Sequence, residues 1–554
     1  MLRNSRFLGA ILRIKILLLS LPSIILFTFL VNFLFVGLQP KKAINQLIIS
    51  SIGDASFLNP VLAQDSASSD INSLVFNGLL KYNEELILTG DLAESWEIKG
   101  GDKPQITFFL RKNVRWHDGM EFTAEDVKFT YDVIMDEKTN TVRRSDFELV
   151  EKCEVLDKYT IGITYKEPFS PGLETWTIGI IPKHRLKNRD INTDEFNRHP
   201  IGTGPFKFAE WVSDEKIVLT ANDDYFEGRP YLDRIIYRII PETSLSEIEL
   251  LTGGVDYYGV IPHQYKRISK NPKLKVFRQP SFGYTYIGYN LKNDLFKDKR
   301  VRQAITHAIN REEIVKFVLY GLGEVATGPY PNHMWYYDHS VEPFPYDPQR
   351  ARELLSEAGW EDTDGDGVLD KGGRPFRFTL ITNSGNDVRK DVGVLVQRYL
   401  KEVGIDVKLE LYEWSVFLTD FINPKHFDAC ILGWGLGIDP DAYQIWHSSQ
   451  IETGFNFISY SNPEVDKLLV AGRREYDIEK RKEIYHKFHR LIHQDQPYTF
   501  LFVPDSIPAL SFKFKKVVYD QEGKRHFSDI QMTKAGLMYD VIKWYVPKGI
   551  ELQQ

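Results

Sequence analysis

The sequence predicts an α/β protein of more than one domain that follows an N-terminal transmembrane helix. Its 554 residues exceed what one compact core usually holds, so two or three domains are expected. Between residues 301 and 494, predicted helices alternate with predicted strands, which is typical of an α/β fold. From Phe427 to Gln450 an apolar strand leads into glycines and then a helix; ligands bind beyond such strand ends in open α/β sheets.

Composition excludes some classes of function. The net charge is -7 and charges of both signs are well mixed, so no basic surface for nucleic acid is expected. The two cysteines, Cys153 and Cys430, lie far apart and give no metal-binding or redox spacing. We expect both to be structural, with a single disulfide as the alternative.

The first 43 residues predict a membrane segment. Basic residues at 3, 6, 13 and 15 precede an uncharged stretch from Ile16 to Leu38, which as a helix would span roughly 34 Å. The stretch is longer than a signal-peptide core and no small-x-small pattern precedes Lys41, which favours an uncleaved anchor over a removed signal. The charge bias places the rest of the chain outside the cytoplasm. No lipid-modified N-terminal cysteine is expected, because the first cysteine is Cys153.

The first half of the exported chain predicts short strands with two helices. A strand opens at residues 47–49, a helix runs through Ile71 to Leu79, and a hairpin joins residues 92–98 to 105–110 across a Gly-Gly turn. A second helix is capped by Thr123.

The second half predicts the α/β alternation. The predicted helices are 301–318, 347–358, 388–403 and 463–494, and the predicted strands are 376–382 and 407–412. Two extended apolar segments, 284–291 and 500–510, bracket this region. Two chain crossings between lobes would require such a pair of segments.

The strand around Cys430 leads to the strongest candidate for a ligand site. The pattern predicts that it ends at Leu432 and that Gly433, Gly435 and Gly437 form a loop around Trp434. Asp439, Pro440 and Asp441 then form a turn, and Asp441 caps a helix beginning at Ala442. Glycines let backbone groups approach a ligand, and Trp434 supplies an apolar wall. The alternative is a structural turn with Trp434 packed in the core.

Two clusters suggest metal ligands. Asp362, Asp364, Asp366 and Asp370, with Gly367 in the turn, match nine positions of a calcium loop, but Gly373 occupies the place of the usual bidentate Glu. Weak structural calcium is one interpretation and a solvated turn the other; no cofactor is required. His486, His489 and His493 share one side of a helix, and we expect an exposed polar edge rather than a zinc site.

No common catalytic motif is present: the sequence has no G-x-S-x-G, H-E-x-x-H or phosphate-binding loop. We therefore expect a protein that is not an enzyme, with a hydrolase as the remote alternative.

Several motifs in order resemble one family. These are W-H-D-G-x-x-F-T-A-E-D-V (116–127), P-I-G-T-G-P-F-K-F (200–208), the stretch 222–241, Y-I-G-Y-N-L (286–291), V-R-Q-A-I-T-H-A-I-N-R (301–311) and the 433–441 segment. Together they resemble the extracytoplasmic solute-binding proteins of family 5, the peptide- and nickel-binding receptors of ABC importers.

The resemblance implies a two-lobed periplasmic-binding-protein fold, type II, with an extra subdomain. It implies an anchor or signal at 1–43, lobe I at 44–288 with an inserted subdomain at about 86–199, lobe II at 289–505, and a return to lobe I at 506–554. It also implies a monomer on the extracytoplasmic side that delivers an oligopeptide-like ligand to an ABC permease. A sensor, an exported chaperone, or a receptor for a sugar or nickel chelate are the alternatives.

The resemblance places Gly433, Trp434 and Gly435 against the ligand main chain and Trp414 in a ligand pocket, although Trp414 also suits a buried helix start. Many peptide-binding members carry an Asp three residues after the loop Trp, where it pairs with the peptide α-ammonium group. Gly437 stands at that place here. Asp439 is the nearest acid that could replace it, so we expect Asp439 to bind the ligand or strict recognition of a free amino terminus to be lost.

Overall fold

The computed structural model describes residues 45–547. The predicted anchor, residues 16–38, lies outside the described residues. Within them, no helix is both long enough and apolar enough to span a bilayer.

Lobe I, residues 46–276 and 508–545, is built on a seven-stranded mixed sheet. Its first strand, Gln46–Ser51, pairs in parallel with Arg234–Ile239 along its whole length. Leu47 and Ile49 are buried on one face of this strand, as the two-residue period of a strand predicts. In spatial order the strands are Leu274–Val276, Pro508–Ser511, Tyr257–Gly259, Gln46–Ser51, Arg234–Ile239, Lys216–Ala221 and Phe206–Val212.

Smaller sheets complete lobe I. The predicted hairpin forms as Ala93–Lys99 and Gln105–Leu110, in a four-stranded antiparallel sheet with Thr160–Tyr165 and Val150–Asp157. Leu80–Tyr82 pairs with Leu88–Gly90, and a C-terminal sheet contains Arg525–Asp529, Lys515–Tyr519 and Trp544–Tyr545.

Lobe II, residues 279–506, is built on a second seven-stranded sheet. Its spatial order is Gln279–Pro280, Tyr498–Ser506, Gly283–Tyr289, Ala429–Gly435, Arg377–Asn383 and Asp406–Tyr412, with Gly323–Val325 also pairing with Tyr498–Ser506. The hairpin Asp370–Lys371 and Arg374–Pro375 lies apart from this sheet.

The chain crosses between the lobes at two adjacent points. The first crossing joins Leu274–Val276 to Gln279–Pro280, and the second joins Tyr498–Ser506 to Pro508–Ser511. The Phe277 N–H donates to the Pro508 carbonyl oxygen (2.9 Å), so the two crossings are hydrogen-bonded side by side. This paired connection has the geometry of a hinge. The second crossing lies within the predicted segment 500–510, but the prediction of the first crossing at 284–291 is wrong, because that segment forms strand Gly283–Tyr289 inside the lobe II sheet.

The helices differ from the predicted ones at three places. The first helix ends at Val75 and not at Leu79, the predicted helix 301–318 is two helices, and the predicted helix 463–494 is also two. The α-helices are Ser66–Val75, Ala124–Met135, Arg144–Phe147, Lys183–Leu186, Thr243–Thr252, Tyr265–Ile268, Lys299–Ala308, Arg311–Phe317, Pro348–Glu357, Asp387–Lys401, Trp414–Val416, Tyr443–Trp446, Pro463–Arg474 and Ile478–Asp495, with a π-helical turn at Phe417–Ile422.

The two breaks have local causes. Asn310 begins a new helix, because its side chain accepts from the Glu313 N–H (3.0 Å). Asp477 does the same for the last helix, accepting from the N–H groups of residues 479 and 480. Thr123 caps Ala124–Met135 as predicted, in a capping box with Asp126.

The predicted glycine loop after Leu432 is wrong in one respect. The strand continues to Gly435, and each residue from Ala429 to Gly435 pairs with a residue of Gly283–Tyr289. Gly435 faces Gly283, where an added Cβ would lie 2.1 Å from the Trp434 carbonyl oxygen. Gly283 lets the two strands approach closely, so the ladder continues where the local sequence predicts a loop.

Buried side chains correct two further expectations. Cys153 and Cys430 are both free and buried, so the disulfide alternative is wrong. His489 is fully buried between Thr327 and the Asp338 N–H, so the three histidines are not an exposed edge.

Candidate ligand-binding site

A cavity of about 480 Å³ lies between the two lobes. Lobe I contributes Phe76, Gly78 and Glu174 to its wall, and lobe II contributes the segment from Trp434 to Gly437 with Asp439. A second cavity of about 980 Å³ shares Ser73, Phe76, Gly78 and Thr177 with the first, and extends past Tyr82 to the hinge residues and the 532–543 segment. The space open to a ligand therefore runs from the lobe interface to the hinge.

Trp434 forms an apolar wall of the cavity. Its ring stacks on Phe457 (5.6 Å between centroids) and near Tyr286 (6.4 Å), and its Nε1–H donates to the Tyr498 hydroxyl (3.3 Å). The side chain remains partly exposed on the cavity side. The aromatic cluster thus fixes the ring orientation and leaves one surface available for a ligand.

The two glycines flanking Trp434 differ in environment. Gly435 is exposed, lines the cavity, and a Cβ added there would meet nothing within 4 Å. A Cβ on Gly433 would lie 3.1 Å from the Tyr284 carbonyl oxygen, and Gly433 does not line the cavity. The cavity therefore brings Trp434 and Gly435 together but places Gly433 inside the sheet.

Trp414 lies at another contact between the lobes. It is partly buried, and a Cβ added to Gly53 of lobe I would lie 3.2 Å from its Cδ1 atom. Glu413 caps the short helix that carries it. Trp414 lines neither of the two cavities described above, so its role in a ligand pocket stays a prediction.

Asp439 lines the cavity but its carboxylate is already paired. Arg481 donates to both carboxylate oxygens at 2.6 Å, in a bidentate geometry, and the Asp441 N–H donates to Oδ1 at 2.9 Å. The Arg481 guanidinium is nearly fully buried. A ligand cation at Asp439 would have to share this carboxylate with Arg481.

Glu174 is a cavity residue that the sequence did not indicate. It lies in a pair of 3₁₀ turns with no motif around it. Burial raises the pKa of its carboxyl to about 8, together with the negative charges of Asp439 and Asp441; hydrogen bonds from the Tyr82 hydroxyl and the Asp439 N–H act in the opposite direction. Glu174 reaches the cavity because its segment meets the distant segment around Gly437, so no local sequence pattern could have identified it.

Polar contacts close the lobes beside the cavity. Arg473 of lobe II donates to Asp441 (2.9 Å) and to the Ser145 carbonyl oxygen of lobe I (3.1 Å). Gln444 donates to Asp146 of lobe I (2.6 Å). Asp441 also accepts from the Tyr443 N–H (3.2 Å), although the helix begins at Tyr443 and not at the predicted Ala442. The structure therefore has the lobes in contact around the cavity.

The aspartate loop lies outside both cavities, between Pro348–Glu357 and the hairpin at 370–375. Carboxylate oxygens of Asp362, Asp364 and Asp370 lie within 4.8 Å of one another. Asp366 instead accepts from the Val368 N–H (2.8 Å) and pairs with Arg377 (3.3 Å). Three of the four predicted ligands thus converge, and calcium binding stays a prediction.

Two α/β lobes, a paired hinge and a cavity between the lobes define a two-lobed binding protein. Residues 88–456 match the family model of the bacterial extracellular solute-binding proteins, family 5, middle region. The oligopeptide-binding protein AppA of Bacillus subtilis is 40% identical over 521 residues, covering 92% of this chain and 93% of AppA. This chain belongs to the bacterial extracellular solute-binding proteins, family 5, whose description places its members outside the cell.

Solved structures agree with this assignment. AppA from Bacillus subtilis in complex with a nonapeptide has a TM-score of 0.85, covering 91% of this chain and 99% of that one. NikZ from Campylobacter jejuni in complex with Ni(L-His) is 29% identical with a TM-score of 0.80, covering 90% and 99%. DppA from Helicobacter pylori with the peptide STSA is 27% identical with a TM-score of 0.81, covering 91% and 98%. The fold is shared by relatives with different ligands.

Proposed function

We propose that this protein captures an oligopeptide between its lobes and delivers it to the permease of an ABC importer. The observation that carries the proposal is the cavity between two hinged lobes, which an aromatic wall and an exposed strand end line from lobe II. AppA, which is 40% identical, is named an oligopeptide-binding protein, and its structure contains a nonapeptide.

The strand end offers a way to bind a peptide main chain. Strand Ala429–Gly435 pairs with Arg377–Asn383 only through Ala429 and Cys430. Among residues 45–547, no strand pairs with the corresponding edge of Trp434 and Gly435, the two residues of this strand that line the cavity. An extended ligand can add to this edge through main-chain hydrogen bonds, while its side chains enter the wider space toward the hinge. Recognition of the main chain suits a receptor that accepts varied sequences.

Binding would act through closure of the lobes. A peptide that contacts both lobes favours the closed form by its differential affinity for that form. A Kd near 1 μM corresponds to about 8 kcal/mol of binding free energy. The protein makes and breaks no bond; the permease receives the closed complex. Residues 16–38 would anchor this monomeric receptor at the extracytoplasmic face of the membrane.

The class of ligand can be tested with the purified protein. We expect a synthetic nonapeptide library to raise the Tm by mass action, since the peptides bind the folded state and not the unfolded state. Maltose and a nickel–histidine complex at the same concentration serve as comparisons and should leave the Tm unchanged. A shift with the nickel complex and none with the peptides would contradict the proposal.

A further inference from the structure

Glu174 is an acid in the cavity wall that forms no ion pair with any residue between 45 and 547. The two carboxylates that act most strongly on it are both paired: Asp439 with Arg481 (2.6 Å) and Asp441 with Arg473 (2.9 Å). Asp146 also lines the cavity, and Gln444 donates to its carboxylate at 2.6 Å. Glu174 is thus the acid beside Gly437 that is free to meet a cation from the ligand.

A glycine keeps the carboxyl of Glu174 accessible from lobe II. A Cβ added to Gly437 would lie 3.2 Å from Glu174 Oε1, and no other atom would lie within 4 Å of that Cβ. Gly437 is exposed and lines the same cavity as Glu174 and Gly435. Any side chain at residue 437 would crowd the carboxyl, so the glycine leaves a small opening next to Oε1.

The protein groups around Glu174 disfavour the charged form of its carboxyl. Burial raises its pKa to about 8, and the charges of Asp439 and Asp441 add to this effect, against hydrogen bonds from Tyr82 and from the Asp439 N–H. Arg481 and Arg473 are paired with those two aspartates, and Arg143, which lines the same cavity, is not among the groups that act most strongly on Glu174. A cation delivered by the ligand would stabilise the carboxylate form where the protein itself does not.

We propose that Glu174 binds a primary ammonium group of the ligand at the opening beside Gly437. This inference rests on the proposed function and names the recognition element of the same site. Because Glu174 belongs to lobe I while Gly435 and Gly437 belong to lobe II, an ammonium held there lies between the lobes and favours closure. The α-amino group of a peptide and a lysine side chain carry the same chemistry.

Ammonium binding at Glu174 changes the protonation state of its carboxyl. The protonated carboxyl and the ligand ammonium give a carboxylate–ammonium pair, and one proton leaves to the solvent. Below pH 8, where the Glu174 carboxyl is mostly protonated before a ligand binds, binding of a free-amine peptide therefore releases protons. The measured binding enthalpy then depends on the ionisation enthalpy of the buffer.

Calorimetry with two forms of one library tests the proposal. The probes are a lysine-free nonapeptide library with free amino termini and the same library N-acetylated. The full-length wild type should bind the free form about 10- to 100-fold more tightly. Glu174→Gln should lose this preference while its affinity for the acetylated form is unchanged, which also reports that the variant is folded. Glu125→Gln, an exposed glutamate in the same lobe, is the matched control and should behave as wild type.

The buffer comparison gives a second measurement. At pH 7, the enthalpy for the free form should differ between phosphate and Tris for the wild type but not for Glu174→Gln. A third probe is the N-acetylated library with lysine residues included. If this library binds the wild type more tightly than Glu174→Gln, the site binds a side-chain ammonium. If it binds both proteins equally, the site binds the α-amino group.

Three outcomes separate the possible errors. A free-amine preference that survives Glu174→Gln would overturn the assignment of Glu174 and leave the proposed function intact. If the preference for free amino termini is lost in Asp439→Asn but kept in Glu174→Gln, Asp439 and not Glu174 binds the ammonium group. Failure of both libraries to bind the wild type would contradict the proposed function itself.

Discussion

At the residue scale, Trp434 joins the cavity to the core of lobe II. Its ring packs against Tyr286, Phe455 and Phe457, and its indole N–H donates a hydrogen bond to the Tyr498 hydroxyl. An aromatic ring fixed in this way offers apolar contact area without losing side-chain freedom on binding. Trp434 therefore has the properties of a dominant contact for a bound peptide.

Replacing Trp434 tests this role. We expect Trp434→Ala to weaken binding of a free-amine nonapeptide library by about 2 kcal/mol or more, measured by calorimetry. Trp96→Ala, which removes a partly buried Trp of the four-stranded sheet away from both cavities, is the matched control and should leave Kd unchanged. Equal losses in both variants would show that the effect is on folding rather than on the site.

The raised pKa of Glu174 predicts that the stability of the folded protein depends on pH. Its carboxyl pKa is raised to about 8 in the folded protein, so between its ordinary value of 4.5 and about 8 the folded state holds more protons than the unfolded state. Its contribution to stability is fully present below pH 4.5 and is lost as the pH rises through 8. Glu174→Gln should therefore raise the Tm of the ligand-free protein at pH 8.5 and not at pH 4.5.

That expectation is measured by thermal unfolding across the pH range, with Glu125→Gln as the control. A Tm difference between Glu174→Gln and wild type that stays constant from pH 4.5 to 8.5 would contradict it, because a neutral carboxyl and an amide differ little in charge at the acidic end.

At the element scale, the aspartate loop between Pro348–Glu357 and the hairpin at 370–375 gives a separate prediction. Carboxylates of Asp362, Asp364 and Asp370 converge, and Gly365 and Gly367 take positive φ in the turn between them. Oxygen ligands around such a turn suit calcium. Millimolar calcium should raise the Tm of wild type, and Asp364→Ala should abolish the shift. Asp294→Ala, an exposed Asp of the same lobe, should retain it. A wild type that shows no shift would mean that the loop is a plain turn.

Several strands, the second crossing and the helix start after Thr123 were predictable because they depend on local patterns. Alternating apolar residues defined the hairpin at 93–110, and the apolar segment 500–510 contains the second crossing. The apolar segment 284–291 is a fully buried strand of lobe II, and its apolar pattern does not distinguish such a strand from a crossing. The breaks between helices at Asn310 and Asp477 also have a local signal, because each of these residues caps the helix that follows. The prediction followed the longer helical periodicity instead and joined the helices.

The site depended more on distant contacts, and so less of it could be predicted. Trp434, Gly435 and Asp439 do line the cavity, but the strand end at Gly435 is set by Gly283, about 150 residues earlier in the chain. The pairing of Asp439 with Arg481 and the approach of Glu174 to Gly437 join separate segments. No spacing in the sequence encodes these contacts.

At the scale of the whole molecule, two lobes close on a ligand about one paired hinge. Arg473, Gln444 and Trp414 of lobe II contact lobe I around the cleft, so closure is stabilised partly by the protein itself. A bound ligand that contacts both lobes adds to these contacts. A closed form of this kind dissociates slowly from its ligand and is expected to retain it during purification.

Native mass spectrometry of the protein as purified tests the central claim most directly, that the cleft holds peptides. We expect bound species whose added masses form a distribution spaced by amino-acid residues, and tandem spectra of the released ligands should give peptide sequences. A single added mass that corresponds to a sugar or to a metal chelate, with no peptide among the released ligands, would contradict the account.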